Sequence, residues 1–166
     1  MSDIEVYSDG IVIFDGKKYK AAIGRSGVTN NKAEGDGGSP AGCFPIRKIF
    51  FRKDKISVPE TSFVIEAIGD DMGWSDDPER EEYNTLIKLP YEGSHEKLWR
   101  EDDLYDLIVV LGYNDDPPIS GKGSAIFMHV ARPVYTPTEG CVALSLENLK
   151  EILEKAGRDT RVCIRE

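Results

Sequence analysis

No stretch of this 166-residue chain approaches the roughly 20 consecutive apolar residues that a membrane-spanning helix requires. The opening residues, Met-Ser-Asp-Ile-Glu-Val-Tyr-Ser, hold neither a basic n-region nor an apolar h-region. A cytoplasmic location is therefore the expectation, with a periplasmic one as the alternative if an export signal precedes this sequence. Histidine is scarce, at two residues, and there is no Cys-x-x-Cys and no His pair, so neither a metal site nor a cofactor is expected. The three cysteines, Cys43, Cys141 and Cys163, are odd in number and unpaired in spacing, which suggests no disulfide framework and fits reduced cytosolic thiols. Positive charge is in short supply: 21 Lys and Arg against 30 Asp and Glu give a net charge of −9. That argues against nucleic acid, which needs clustered basic residues, and against an anionic membrane surface. Repeats, low-complexity tracts and linkers are also lacking, and the length suits one domain over residues 1–166, expected to be monomeric. Hydrophobic residues at 40% and charged residues at 31% are globular proportions.

What the chain does contain is a series of short β-prone runs separated by turn signals. Residues 4–8 and 11–14 flank Ser8-Asp9-Gly10, a hairpin signal, and Asp15-Gly16 leads to a third run over 19–24. Residues 25–42 are polar and Gly-rich and read as a loop, after which strands resume over 43–51 and 63–68. Residues 69–84 read as an acidic structural loop with Trp74 packed and carboxylates bonded to backbone N–H groups. Their aspartate spacing does not match an EF-hand. Residues 94–100 read as a short helix with Ser94 as its cap and His95 solvated at its start. Residues 107–111 are apolar throughout, as in a strand buried on both faces, and a turn-rich loop over 112–123 follows. The clearest helix runs from Ser145 to Ala156, with Leu146, Leu149, Ile152 and Leu153 at helical spacing and Gly157 as its stop. Residues 161–165 alternate as a closing strand in which Cys163 is structural. About eight strands and two helices predict one mainly β domain.

The chemistry concentrates between Ala125 and Leu144. An apolar run ends on His129, a loop with Pro133 and Pro137 follows, and Thr138-Glu139-Gly140-Cys141 introduces a second apolar run. Such a loop can fold back and bring Cys141 beside His129. An imidazole next to a thiol lowers its pKa and accepts its proton, making the thiolate nucleophile. Gly140 allows a tight turn before the nucleophile and lets consecutive N–H groups face an oxyanion. Substrate anchoring asks for a cation, preferably Arg: Arg132, three residues after His129, is the first candidate and Arg100 the second. Glu139 either contacts a substrate amino group or is an exposed loop carboxylate.

The pattern His129 … Thr138-Glu139-Gly140-Cys141-Val142-Ala143-Leu144 resembles the catalytic motif of the L,D-transpeptidase (YkuD-type) family of bacterial cell-wall enzymes. The resemblance extends to Lys32-Ala-Glu34-Gly35-Asp36-Gly-Gly-Ser39-Pro40-Ala-Gly42. It also takes in Trp74-Ser-Asp76-Asp77-Pro78, Tyr83-Asn84, Ser94-His-Glu96-Lys-Leu98-Trp99-Arg100, Tyr105-Asp106 and Gly123-Ser124-Ala125-Ile126-Phe127, over about residues 20–165. Two positions depart: Glu139 stands where many members have His, and Ala143 where many have Arg. The resemblance implies a β-sandwich with a few short helices, Cys141 as nucleophile and His129 as base. It also implies Val130 supplying the backbone carbonyl that orients the base, Thr138 fixing the turn, and the segment around Lys32, Glu34 and Asp36 buttressing the site. The implied partners are peptidoglycan stem peptides or muropeptides ending in meso-diaminopimelate–D-Ala. With a cytoplasmic location, the expected activity is an L,D-carboxypeptidase that removes terminal D-Ala from recycled tetrapeptides. L,D-transpeptidation is the alternative, and a non-catalytic muropeptide-binding protein a second.

Overall fold

In a computed structural model of the chain, residues 2–166 are described; Met1, with which the expected domain 1–166 begins, lies outside them. Three short strands open the fold as a meander: β1 (Ile4–Tyr7), β2 (Ile11–Phe14) and β3 (Lys17–Lys20). The third begins at Lys17 rather than Tyr19, because the Asp15-Gly16 turn is a two-residue hairpin that pairs Phe14 with Lys17. Two two-residue strands, β4 (Val28–Thr29) and β5 (Ser39–Pro40), pair in parallel within the Gly-rich segment.

The long strand β6 (Gly42–Phe51) joins the two halves of the molecule. Its first residues pair with the closing strand β14 (Arg161–Arg165), and its later ones with β11 (Leu107–Leu111) and with the short β7 (Ile65–Ala67). On the far side of β11 come β12 (Phe127–Val130) and then β13 (Val142–Leu144), which runs parallel to β12. A separate sheet of β8 (Met72–Ser75), β9 (Leu86–Lys88) and β10 (His95–Lys97) covers one face.

β11 shows why its sequence is apolar throughout. Leu107, Val109 and Leu111 point into the main core with α1 (Leu146–Lys155), whereas Ile108 and Val110 point into a second core with Trp74, Leu98 and Phe127. Side chains alternate along a strand, so only a sheet covered on both sides demands five apolar residues in a row. The helix follows its sequence signals: the Ser145 hydroxyl accepts from Asn148 N–H at 3.2 Å, and Leu149, Ile152 and Leu153 are fully buried.

Three expectations fail. Residues 69–84 are not all loop: Met72–Ser75 is strand β8, held by its pairing with β9 and β10. Residues 94–100 are not a helix: His95–Lys97 is strand, paired antiparallel with Ser75, Trp74 and Gly73. Ser94 carries a local capping signal, but ladder bonds to β8 override a weak helix preference. Among the described residues α1 is the one helix. Cys43 and Cys163 are not reduced thiols either. They face each other on β6 and β14 with Cα atoms 3.9 Å apart and form a disulfide across 120 residues of chain.

Candidate active site

His129 and Cys141 lie on neighbouring parallel strands. The chain leaves β12 at Val130, crosses over, and returns at Val142, which pairs with Met128; Cys141 is the residue just before. His129 sits on the same face of β12 as Phe127, away from the main core, because Met128 and Val130 take the core positions. The crossover is pinned at both ends. Ala131 N–H donates to Leu144 O, and Thr138 bonds to Ile23 O and Arg25 N–H through its own N–H and C=O.

His129 is 5% exposed, and its Nδ1 bonds to Val130 O at 2.9 Å. A carbonyl there accepts, which fixes the tautomer with the proton on Nδ1 and leaves Nε2 with its lone pair. The Tyr105 ring stands edge-on to the imidazole, 5.4 Å between centroids. Burial lowers the His129 pKa to about 4; the Val130 bond opposes this, and the positive charges of Arg100 and Arg132 add to it. At neutral pH the ring is therefore an uncharged base.

Cys141 is held by a turn that its neighbours shape. The Thr138 hydroxyl donates to Cys141 O at 2.6 Å and accepts from Gly140 N–H at 3.1 Å. Gly140 adopts φ +146°, and a Cβ there would come within 2.8 Å of Gly38 O, so no other residue fits. The buried Ser39 hydroxyl, bonded to Gly24 N–H, donates to Gly140 O at 2.8 Å. Thr138 thus fixes the turn, but the Gly140 N–H is committed to it, and the Cys141 N–H is the turn amide left for an oxyanion. Gly140 contributes its conformation, not a pair of donors.

The thiol is not an activated thiolate at rest. Sγ donates to Ala125 O at 3.2 Å and accepts from Phe127 N–H at 3.4 Å. Burial pushes its pKa up to about 12, with the negative charge of Glu96 adding to the rise. The Phe127 N–H and the charge of Lys32 pull the other way. The expectation that the imidazole depresses the thiol pKa is not met in the free protein, where both partners are neutral.

Both side chains open onto one cavity of about 410 Å³. Arg132 lies exposed at its rim, and Arg100 lines it while held bidentate by Asp102 at 2.7 and 2.8 Å. That pairing keeps Asp102 ionised, with its pKa lowered to about 2. Glu139 also lines the cavity but is exposed and paired with Arg25 Nε at 2.8 Å. His95 stands apart, bonded to Gly93 O.

Sequence reasoning gave Lys32 and Glu34 only a buttressing part and gave Asp76 and Glu96 no role, though all four line the cavity. Lys32 is 7% exposed, pairs with Asp36 at 2.6 Å, and its Nζ lies 3.6 Å from where a Gly140 Cβ would stand. Glu34, Asp76 and Glu96 also face the cavity. The i,i+4 spacing of Lys32 and Asp36 was the available signal for the first; the rest depend on contacts between distant segments. Among the described residues one group of potential metal ligands, Asp3, Glu5 and Cys163, lies at β1 and β14. Asp3 and Glu5 are taken by Arg161 and Arg165, and the Cys163 sulfur by Cys43.

A neutral imidazole and a thiol sharing one cavity, with the base oriented and the turn constrained, suit acyl transfer through a thioester. The protein is a β-sandwich cysteine acyltransferase in class. The family model for the L,D-transpeptidase catalytic domain (YkuD) matches residues 3–164, and the chain belongs to that family, whose cysteine enzymes act on peptidoglycan peptides. No curated protein and no solved structure matches it.

Proposed function

We propose that the chain cleaves the bond between the L-centre of meso-diaminopimelate and the terminal D-Ala of a peptidoglycan stem peptide, acting as a monomer. The observation that carries this reading is the His129–Val130 hydrogen bond, which fixes the tautomer of a base that lines the same cavity as Cys141. In the reaction His129 Nε2 takes the thiol proton as Sγ attacks the scissile carbonyl. The Cys141 N–H faces the resulting oxyanion. His129 returns the proton to the departing D-Ala amine, leaving an acyl thioester on Cys141. Because thiol and imidazole rest neutral, proton transfer accompanies attack. We assign the terminal carboxylate to Arg132, whose exposed position at the cavity rim supports the role.

Water or an amine then resolves the thioester. Hydrolysis makes the protein an L,D-carboxypeptidase of muropeptide recycling in the cytoplasm; a cavity of about 410 Å³, room for one peptide end, supports it. Attack by an amine makes it an L,D-transpeptidase. The Cys43–Cys163 disulfide supports that reading, because such bonds persist in oxidising compartments, where cross-links are made. A tetrapeptide muropeptide incubated with and without a D-amino acid, with Cys141→Ala as control, separates them. Loss of one D-Ala alone marks the carboxypeptidase, and exchange or dimer formation the transpeptidase. Unchanged masses refute both.

A further inference from the structure

The cavity beside Cys141 has an acidic wall that the chemistry so far does not use. Glu34, Asp76 and Glu96 come from three separate segments, the Gly-rich loop, the end of β8 and the middle of β10, and converge on it. Their hydrogen-bond partners are neutral hydroxyls. Glu96 accepts from Tyr105 at 2.7 Å, and Glu34 from Tyr83 at 2.7 Å and Ser124 at 2.6 Å. Asp76 has less still: its Oδ1 is cut off from solvent and has no hydrogen-bond partner. The cavity's partly buried cations are committed elsewhere, Lys32 to Asp36 and Arg100 to Asp102.

Three carboxylates so gathered repel one another, and the charge of Arg100, itself bonded to Asp102, offsets this only at a distance. Burial raises the Glu96 pKa first, and the charges of Asp76 and Glu34 raise it further against the Tyr105 hydrogen bond and the charge of Arg100. A bare buried carboxylate oxygen costs free energy until a donor reaches it. The group is too spread for a metal: the ligand atoms of these three do not gather within 4.8 Å of one another, as atoms sharing one ion would. An ammonium group, which holds its acceptors about 2.8 Å from nitrogen and carries three donors, suits a wider set of oxygens.

We propose that Glu34, Asp76 and Glu96 form a subsite for a primary ammonium group carried by the residue that donates the scissile carbonyl. The inference rests on the stem-peptide reading above, in which that residue is a diamino acid with one free amino group. The subsite has a second consequence. Burial does most to hold the Cys141 proton in place and the Glu96 charge adds to it, so an ammonium seated against Glu96 relieves that added part. Substrate then helps to release its own nucleophile, and a neutral substrate analogue does not.

The test compares a tetrapeptide carrying the free amine with the same peptide N-acetylated at that amine. Wild type is expected to lose at least about tenfold in kcat/KM on acetylation, the worth of a charge-assisted pair in a dry site. In Asp76→Asn and in Glu96→Gln that preference should shrink to a few-fold. Equal turnover of the two peptides by wild type, or a preference that survives in both variants, overturns the proposal.

A second arm needs no peptide. The alkylation rate of Cys141 by iodoacetamide is measured at fixed pH with n-propylammonium chloride and with n-propanol at equal concentration and ionic strength. The ammonium should raise the rate several-fold in wild type and not in Asp76→Asn. No difference between the two additives overturns the subsite. A rate rise in a protein that turns over neither peptide would leave the subsite standing and sink the stem-peptide reading instead.

Discussion

The thiol of Cys141 donates to the carbonyl oxygen of Ala125, 3.2 Å away, and the imidazole of His129 takes no part in that bond. Ala125 adopts φ +54°, a left-handed conformation that a residue with a Cβ enters only when its surroundings hold it there. Asn84 does so: its Oδ1 accepts from Ala125 N–H and from Trp74 Nε1, each at 3.0 Å. The proposed nucleophile is thus parked on a strained backbone position rather than on its proposed base.

A parked, half-buried thiol should react slowly. Alkylation of Cys141 at pH 7 is expected to lag behind that of an ordinary free cysteine and to keep rising past pH 10, following a thiol pKa raised to about 12. Stopped-flow alkylation against pH checks this; a fast rate already level at pH 7 would mean a preformed thiolate.

The base titrates on the acid side. With its pKa lowered to about 4, His129 stays neutral well below the usual range, so kcat/KM should fall off near pH 4 and not near 6.5. Stability follows the same group. Between the two values the unfolded chain binds the proton that the folded chain refuses, so the stabilising contribution is present above pH 6.5 and is lost as pH falls toward 4. Urea titrations at pH 7.5 and 4.5 should show lower stability at the acid pH, which His129→Gln reduces.

Asn84→Ala removes four hydrogen bonds at once, to Trp74, Ala125, Tyr113 and Asn114. Each buried group left unsatisfied costs about 1–3 kcal/mol, so a loss of at least about 2 kcal/mol is expected in urea unfolding. Because Ala125 is then released, Cys141 should alkylate faster even under conditions where the variant is fully folded.

Only one thiol should titrate in the folded, unreduced protein, and three after denaturation and reduction, since Cys43 and Cys163 are bonded to each other. Replacing both by Ala should lower stability by about 2–5 kcal/mol, the usual worth of a bridge closing a long loop. Three reactive thiols in the native protein would contradict the pairing.

Elements with a local cause were legible in the sequence. Ser145 and the leucine spacing specify α1, and five apolar residues in a row specify a strand covered on both faces. That Cys141 and His129 open onto one cavity was legible because the parallel crossover between them is short. What was not legible depends on distant partners. The Cys43–Cys163 bond is set by the register of β6 on β14, 120 residues apart in sequence. Residues 95–97 become strand through β8, against a plausible local helix signal. The acidic wall exists only because loops around 34, 76 and 96 meet over one cavity. The raised thiol pKa likewise comes from burial that spacing does not disclose.

The central claim, that Cys141 forms an acyl thioester with His129 as base, is tested most directly by the intact mass of the protein after brief exposure to a tetrapeptide and acid quenching. The account predicts a gain equal to the peptide less D-Ala, mapped to Cys141, absent in Cys141→Ala and strongly reduced in His129→Gln. D-Ala release with no adduct and undiminished in Cys141→Ala, or an adduct that forms as quickly without His129, would contradict it.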